Sequence, residues 1–370
     1  MLNRNISGVS NLQITEVFVQ DILQKFFPEN YQAIYDESLL IQYLDKKMKA
    51  VHGNSKTRRS LANIYAIYSL LVFYQRDYYS NPNLYKSFDG YDYTKLLNFY
   101  RSLYGGSKLQ NHALNSRVNG EFKNKFPTIT TNLIIINDGK YLLHINYLYV
   151  RGIDISKACC AIIEKYIDLL VNKDHALLSM LENLQSMSSY VKKKWGLRDL
   201  LSEDAEARVF EIISYAILKT HYKNIKVYFG YTIDGIREEK LELYKTGRTN
   251  ANDGGIDFVM RPVGRFFQVT EVNNYDKYLL DIDKVLHFPI TFVIKTVSAK
   301  EKILEELKTY IDERANGMKV IEERYAHAIE EVITINELCQ WIEELSNEDI
   351  DSIIRDIDIY YKLEMNIDAD

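Results

Sequence analysis

From Ile14 to about Tyr104, apolar residues recur at three- and four-residue spacing, as in Ile41, Leu44 and Met48 and again in Leu61, Ile64, Ile67, Leu70 and Leu71; this period predicts packed helices. Between them, His52 to Arg59 is polar and basic and leads into a helix, with Ser55 or Thr57 as its N-cap. Residues 104–125, rich in Gly105, Gly106, Asn111, Asn115, Asn119 and Gly120, predict a loop. Around 133–150, apolar runs flank Asn137-Asp-Gly-Lys140, where Asp-Gly supplies the positive φ angles of a tight reversal, so a hairpin is expected. Helical spacing resumes near Ser156, runs towards Tyr190 and breaks at Lys192 to Gly196. That break divides a mainly helical region, 1–195, from a second region, 196–370. The second predicts helix 202–220, strand 225–231, strand 241–244, hairpin 256–272, helix 278–286, strand 290–296 and then acidic helices. This order describes an α/β (α+β) core with a mixed central sheet flanked by helices.

Composition narrows the class. A chain of 370 residues, 46% hydrophobic and 26% charged, can bury a large core and has room for two domains. Its longest apolar runs, such as Leu133 to Ile136 and Ile290 to Ile294, are far short of a bilayer span, and no basic segment followed by an apolar one opens the chain, so a cytoplasmic location is expected. Cys159, Cys160 and Cys339 form neither a CxxC pair nor an even disulfide set, which argues against zinc and disulfides. The net charge of -5 is unevenly spread: residues 1–200 hold 25 Lys and Arg against 17 Asp and Glu, whereas residues 301–370 hold 7 against 20. The N-terminal half is therefore the expected polyanion-binding part. The 29 tyrosines sit mostly at helical spacing among Leu and Ile, as core and rim residues.

The chemistry concentrates in Gly247-Arg-Thr-Asn-Ala-Asn-Asp-Gly-Gly-Ile-Asp-Phe258, a turn leading into Val259 to Thr270. With Pro262 to Arg265 as the reversal, Arg261 pairs with Phe266, Asp257 falls opposite Thr270, and Gln268 is its diagonal neighbour, all three on one face. Opposed side chains lie about 5 Å apart and diagonal ones about 7 to 8 Å, a spacing suited to groups sharing one divalent cation. Phe258, Phe267 and Val269 face the core on the other side. Upstream, Ser202 caps a helix whose first turn accounts for Glu203 and Asp204, while Glu211, between Phe210 and Ile212, is a second acidic group well inside it. There is no GxxxxGK[ST] loop, no GxGxxG after a strand and no histidine in a nucleophile motif, so nucleotide-binding and Ser/His/Asp hydrolase chemistry are not indicated.

The order of helix with Phe-Glu, strand, Asp-Gly-Gly-Ile-Asp, hairpin, Phe-Gln-Val-x, helix and strand resembles the PD-(D/E)XK nuclease superfamily, in the variant with Gly-x-Asp followed by Gln-x-Lys. Within it, residues 247–258 with Arg265-Phe-Phe-Gln-Val-Thr-Glu271 resemble the ApaLI-like type II restriction endonucleases; the likeness covers roughly residues 200–300. The resemblance implies Asp257 as the metal-binding aspartate, Gln268 as a second ligand and Glu211 as the helix carboxylate completing the shell, with Asp257, Gln268, Thr270 and Glu211 as the catalytic set. Thr270 stands where most members carry a lysine that orients or activates the attacking water, and Lys245, Arg265 or Lys277 could supply the missing charge; Glu271 alternates to the opposite face.

Oxygen ligands without Cys or His nearby favour a hard cation, so Mg²⁺ is the expected cofactor. The implied activity is site-specific hydrolysis of double-stranded DNA, leaving a 5′-phosphate, by a prokaryotic restriction-modification enzyme acting as a homodimer on a palindromic site. Lys56, Arg58 and Arg59 in one polar stretch, Lys108, Asn111 and Arg117 in the other, and Arg248 and Asn250 in the turn are the expected DNA contacts. The alternatives are an Mrr-like or repair nuclease of the same fold, and a catalytically inactive DNA-binding protein.

Overall fold

The computed structural model describes residues 18–49, 56–114, 116–246, 256–271, 274–365 and 367, at 49 and 56–60 by the backbone alone. The chain divides into two compact units, one comprising residues 11–177 with 362–370 and the other residues 178–361 with the first ten. Among the described residues no helix is long and apolar enough to cross a membrane.

In the first unit the helical period is realised as α1 (Val19–Phe26), α2 (Tyr31–Glu37), α3 (Leu39–Lys49), α4 (Lys56–Tyr78), α5 (Pro82–Lys86), α6 (Tyr93–Ser102) and α7 (Arg117–Lys125). Their shared core holds Leu44, Ile64, Ile67, Leu71 and several wholly buried tyrosines, among them Tyr43, Tyr65 and Tyr74. Strand β1 (Tyr91–Asp92) pairs with β3 (Lys140–Leu143), which pairs with β2 (Ile134–Asn137) across a two-residue turn at Asp138 and Gly139, both at positive φ. A second small hairpin, β4 (Tyr149–Val150) and β5 (Ile153–Asp154), precedes α8 (Ser156–Ser186), the helix within which the division between units falls. The loop expected over 104–125 is only half a loop, because α7 occupies its second part. Asn119, a poor helix former, is buried there and holds both the N–H and the carbonyl of Ile134, at 2.9 and 2.8 Å, so a tertiary contact outweighs local preference.

The second unit is built on a five-stranded mixed sheet, flanked by helices, in the order β12 (Ile329–Thr334), β11 (Ile290–Ile294), β10 (Arg265–Thr270), β9 (Phe258–Arg261), β8 (Glu242–Lys245). Strands β8 to β10 form an antiparallel meander, and β10, β11 and β12 are parallel. Every residue of β11 is buried, as expected of a strand covered on both faces. On one face α11 (Tyr275–Lys284) and α12 (Lys300–Ala315) bury Tyr278, Ile282, Ile303 and Leu307 against Phe266, Ile290, Phe292 and Ile294. On the other lies α10 (Ala207–Tyr222), with Tyr215 against Phe258 and Tyr222 against Phe267.

Several local readings change. Lys192 to Gly196 is helical, within α9 (Tyr190–Leu200); a Cβ on Gly196 would stand 2.3 Å from Leu184, so the glycine permits a close approach and does not interrupt the helix. Helix α10 begins at Ala207, and Ser202 does not cap it; Glu203 accepts instead from Thr296 Oγ1 and the Val297 N–H at 2.9 and 3.0 Å, tying down the chain after β11. Strand β6 (Lys226–Phe229) forms a separate hairpin with β7 (Arg237–Lys240). The acidic helices α12, α13 (Lys319–Ala328), α14 (Ile335–Glu344) and α15 (Asn347–Met365) are interrupted by β12, whose pairing with β11 joins segments far apart in sequence. On α14, Leu338 and Ile342 are wholly buried and Trp341 stacks on His221 at 3.9 Å.

Candidate functional site

The β9–β10 reversal places the site, and its register differs from expectation. Met260 pairs with Arg265 and Phe258 with Phe267, and Asp257, one residue further out, also donates its N–H to the Phe267 carbonyl, so it stands beside Phe267 and not opposite Thr270. The loop is Arg261 to Gly264: Gly264, at φ 70°, turns its N–H onto the Met260 carbonyl at 2.8 Å, and that closure moves the reversal one residue towards the N-terminus. The shift in pairing is two residues, so each side chain keeps its face. Phe258 and Phe267 point to α10; Phe266, Gln268 and Thr270 point to α11.

Asp257 is held at the mouth of the ladder from both sides. Its carbonyl accepts from the Thr246 N–H at 3.0 Å, and its own N–H donates to Phe267 at 3.1 Å. Its carboxylate accepts from the Val269 N–H at 2.7 Å. Burial pushes this carboxyl up to about 7, the negative charge of Glu211 adds to the rise, and the Val269 N–H, Arg208 and Lys277 oppose it. A carboxylate so placed gains from any further positive charge.

Gln268 is 6% exposed, lies beside Phe292 of β11, and leaves its Oε1 buried without a hydrogen-bond partner. Buried oxygens of Ser202 and Ser214 are also unpartnered, but Gln268 precedes Val269, whose N–H holds the Asp257 carboxylate. Thr270 is buried, and its Oγ1 accepts from Lys277 Nζ at 3.3 Å. Glu211, on the middle of α10, accepts from Arg208 one turn earlier at 2.8 Å and from Lys245 of β8 at 3.1 Å. Lys245 reaches it from the α10 face, over the Tyr215 and Phe258 rings.

Gln268 and Thr270 thus share the α11 side of β10, while Asp257 sits at the head of the ladder within electrostatic reach of both Glu211 from α10 and Lys277 from α11. Among the described residues no three His, Cys, Asp or Glu side chains converge on one point; the donors near the head of β10 are Asp257, with Glu211 from the α10 face and Gln268 Oε1 on the α11 face. The chemistry of that set fits a hard cation: two carboxylates and an amide oxygen left without a donor. Sequence reasoning overlooked Arg208, although its i, i+3 spacing to Glu211 was readable.

Of the expected DNA contacts, Lys56, Arg58 and Arg59 belong to the first turn of α4, not to a stretch ahead of it. Lys108 and Asn111 are exposed, Asn111 opening a short 3₁₀ helix. Arg117 starts α7 and pairs with Glu121 at 3.3 Å, so it is a helix residue and not part of a loop. Tyr65 donates to the Tyr104 carbonyl at 2.6 Å and Lys47 of α3 pairs with Glu121 of α7, which gathers the loop after Tyr104 and α7 about the N-terminal half of α4. Arg248, Asn250 and the turn before Asp257 lie outside the described residues. Comparison with protein-family models, with curated proteins and with solved structures returned no match for this chain.

Proposed function

We propose that this chain is a Mg²⁺-dependent, site-specific endonuclease of double-stranded DNA with a PD-(D/E)XK core, of the type II restriction class and resembling its ApaLI-like members. The observation that carries the reading is Asp257 at the head of the β9–β10 ladder: a carboxyl pushed up to about 7 by burial and by Glu211, on a hairpin whose Gln268 leaves an amide oxygen with no donor. Both groups improve when a divalent cation enters, and no packing role explains either. The succession α10, β8, β9, β10, α11, β11 also matches the order of elements on which the resemblance rests.

Asp257, Gln268 Oε1 and Glu211 would hold the ion. Bound there, Mg²⁺ lowers the pKa of a coordinated water and stabilises charge on the scissile phosphate. The Val269 N–H fixes one oxygen of Asp257 and leaves the other to bind. Arg208 and Lys245 bind and aim Glu211, and Gln268 is buried beside Phe292, which packs on Tyr278. Homodimerisation, one protomer to each strand, is part of the proposal, as is recognition by the basic tracts around α4.

The test is incubation with unmethylated phage DNA and Mg²⁺ beside Asp257→Ala. Discrete fragments from the wild type, with cleavage reduced at least ~10³-fold in the variant, support the reading. Unspecific or modification-dependent cutting favours a repair or Mrr-like nuclease. Intact DNA with retained binding identifies a catalytically silent DNA-binding protein, a reading that Thr270 in the lysine position favours.

A further inference from the structure

We propose that Lys277, on α11, is the ammonium that serves the attacking water and the scissile phosphate in this site, a role resting on the endonuclease reading above. Four other cations surround the cluster, and each is committed. Lys245 and Arg208 are on Glu211. Lys295 is on Glu271 at 2.7 Å and on the Ala205 carbonyl at 2.9 Å. Arg265 opens β10, roughly 16 Å along the strand from Thr270, and is bound to Thr291 Oγ1 of β11 at 2.9 Å and to Glu330 and Glu331 of β12, two strands away.

Lys277 differs from all of them. Among the described residues it has no carboxylate ion-pair partner, its Nζ donates to Thr270 Oγ1 at 3.3 Å, and its charge acts on Asp257. Its place is set by the start of α11, where the Asn274 side chain accepts from the Asp276 N–H at 3.0 Å and the Lys277 N–H donates to the Asn274 carbonyl at 3.0 Å. Threonine at 270 is too short to carry charge, but its hydroxyl anchors one proton of the ammonium, leaving two to donate. Hydrolysis adds one water across the P–O3′ bond: its oxygen bonds to phosphorus, O3′ departs with the bonding pair and takes a proton, and the water's own proton passes to solvent. Lys277 remains an ammonium throughout, orienting the water and offsetting charge on the phosphate.

The experiment compares full-length wild type, Lys277→Met, Asp257→Ala, and Thr270→Lys in the Lys277→Met background. Cleavage is read with Mg²⁺, and Mn²⁺ affinity is read by paramagnetic resonance without DNA. For Lys277→Met we expect cleavage to fall ~10²–10⁴-fold, with Mn²⁺ affinity unchanged or tighter and the melting temperature held; moving the lysine to position 270 should restore at least tenfold. Cleavage by Lys277→Met within threefold of wild type, beside an inactive Asp257→Ala, overturns the proposal and leaves the endonuclease reading standing. Parallel loss of Mn²⁺ binding and melting temperature in Lys277→Met makes the residue structural and also overturns it, as does a folded, Mn²⁺-binding double variant that recovers nothing. A wild type that neither binds Mn²⁺ nor cuts overturns both.

Discussion

Asp154 is buried and Asp257 half-buried, and their surroundings differ in kind. Asp154, in the first unit, accepts from Tyr74 Oη at 2.7 Å, from the Ser80 N–H at 2.9 Å and, through its other oxygen, from the Ser156 N–H at 2.9 Å. It joins α4, the chain after it and the start of α8. Asp257 has one backbone donor and a like charge within reach. A buried carboxylate whose donors are supplied by its own fold is scaffold; one whose fold supplies too little positive charge is built for something that arrives later.

The largest test of that contrast is chemical. Glu211→Gln, which removes the charge of a proposed metal ligand, should reduce cleavage ~10²- to 10³-fold, while Asp154→Ala should leave the specific activity of the folded fraction unchanged. Equal losses in the two variants, measured per folded molecule, would erase the distinction. In stability the order reverses. Asp154→Ala strands three donors and should cost at least ~3 kcal/mol, lowering the melting temperature on the order of 10 °C.

Asp257→Asn should stabilise the metal-free protein, and pH fixes where. Its carboxyl is raised in the fold from 3.8 to about 7, so the folded state binds the proton more tightly than the unfolded one. Stability therefore falls as pH rises from about 4 to about 7, by at most about 4 kcal/mol. The asparagine variant should gain most above pH 7 and nothing near pH 4, as thermal melts across pH would record. The smallest effect follows from the same shift: Mg²⁺ affinity should rise about tenfold per pH unit below 7 and level off above it, and a flat profile in calorimetry would show that Asp257 binds no metal.

How much of this was legible varied with the range of the interactions. Asp138-Gly139 makes its turn from local φ preference alone, and the hairpin there appears as expected. Strand β12 was not legible, because Ile329-Glu-Glu-Val-Ile-Thr334 has no strong alternation and becomes a strand by lying parallel to the buried β11. Asn119 in α7 and Gly196 in α9 misled for the same reason: each is a local helix breaker whose tertiary contact, with Ile134 or Leu184, is worth more than its propensity. The pairing of β9 with β10 was off by two residues because the position of the left-handed Gly264 decides where the loop closes.

The sequence by itself determined that Gln268 and Thr270 share one face of β10, since alternation along a strand needs no partner. It also put a threonine at position 270, where the resemblance leads one to expect a lysine. Only the tertiary structure decided which cation stands beside that threonine, because Lys245, Arg265 and Lys277 are equivalent as letters and differ only in what surrounds them. Carboxylates occupy the first two, and the third is left with a threonine hydroxyl. Charges act through space, and which carboxylate each cation meets depends on how α10, α11 and β12 pack against one sheet.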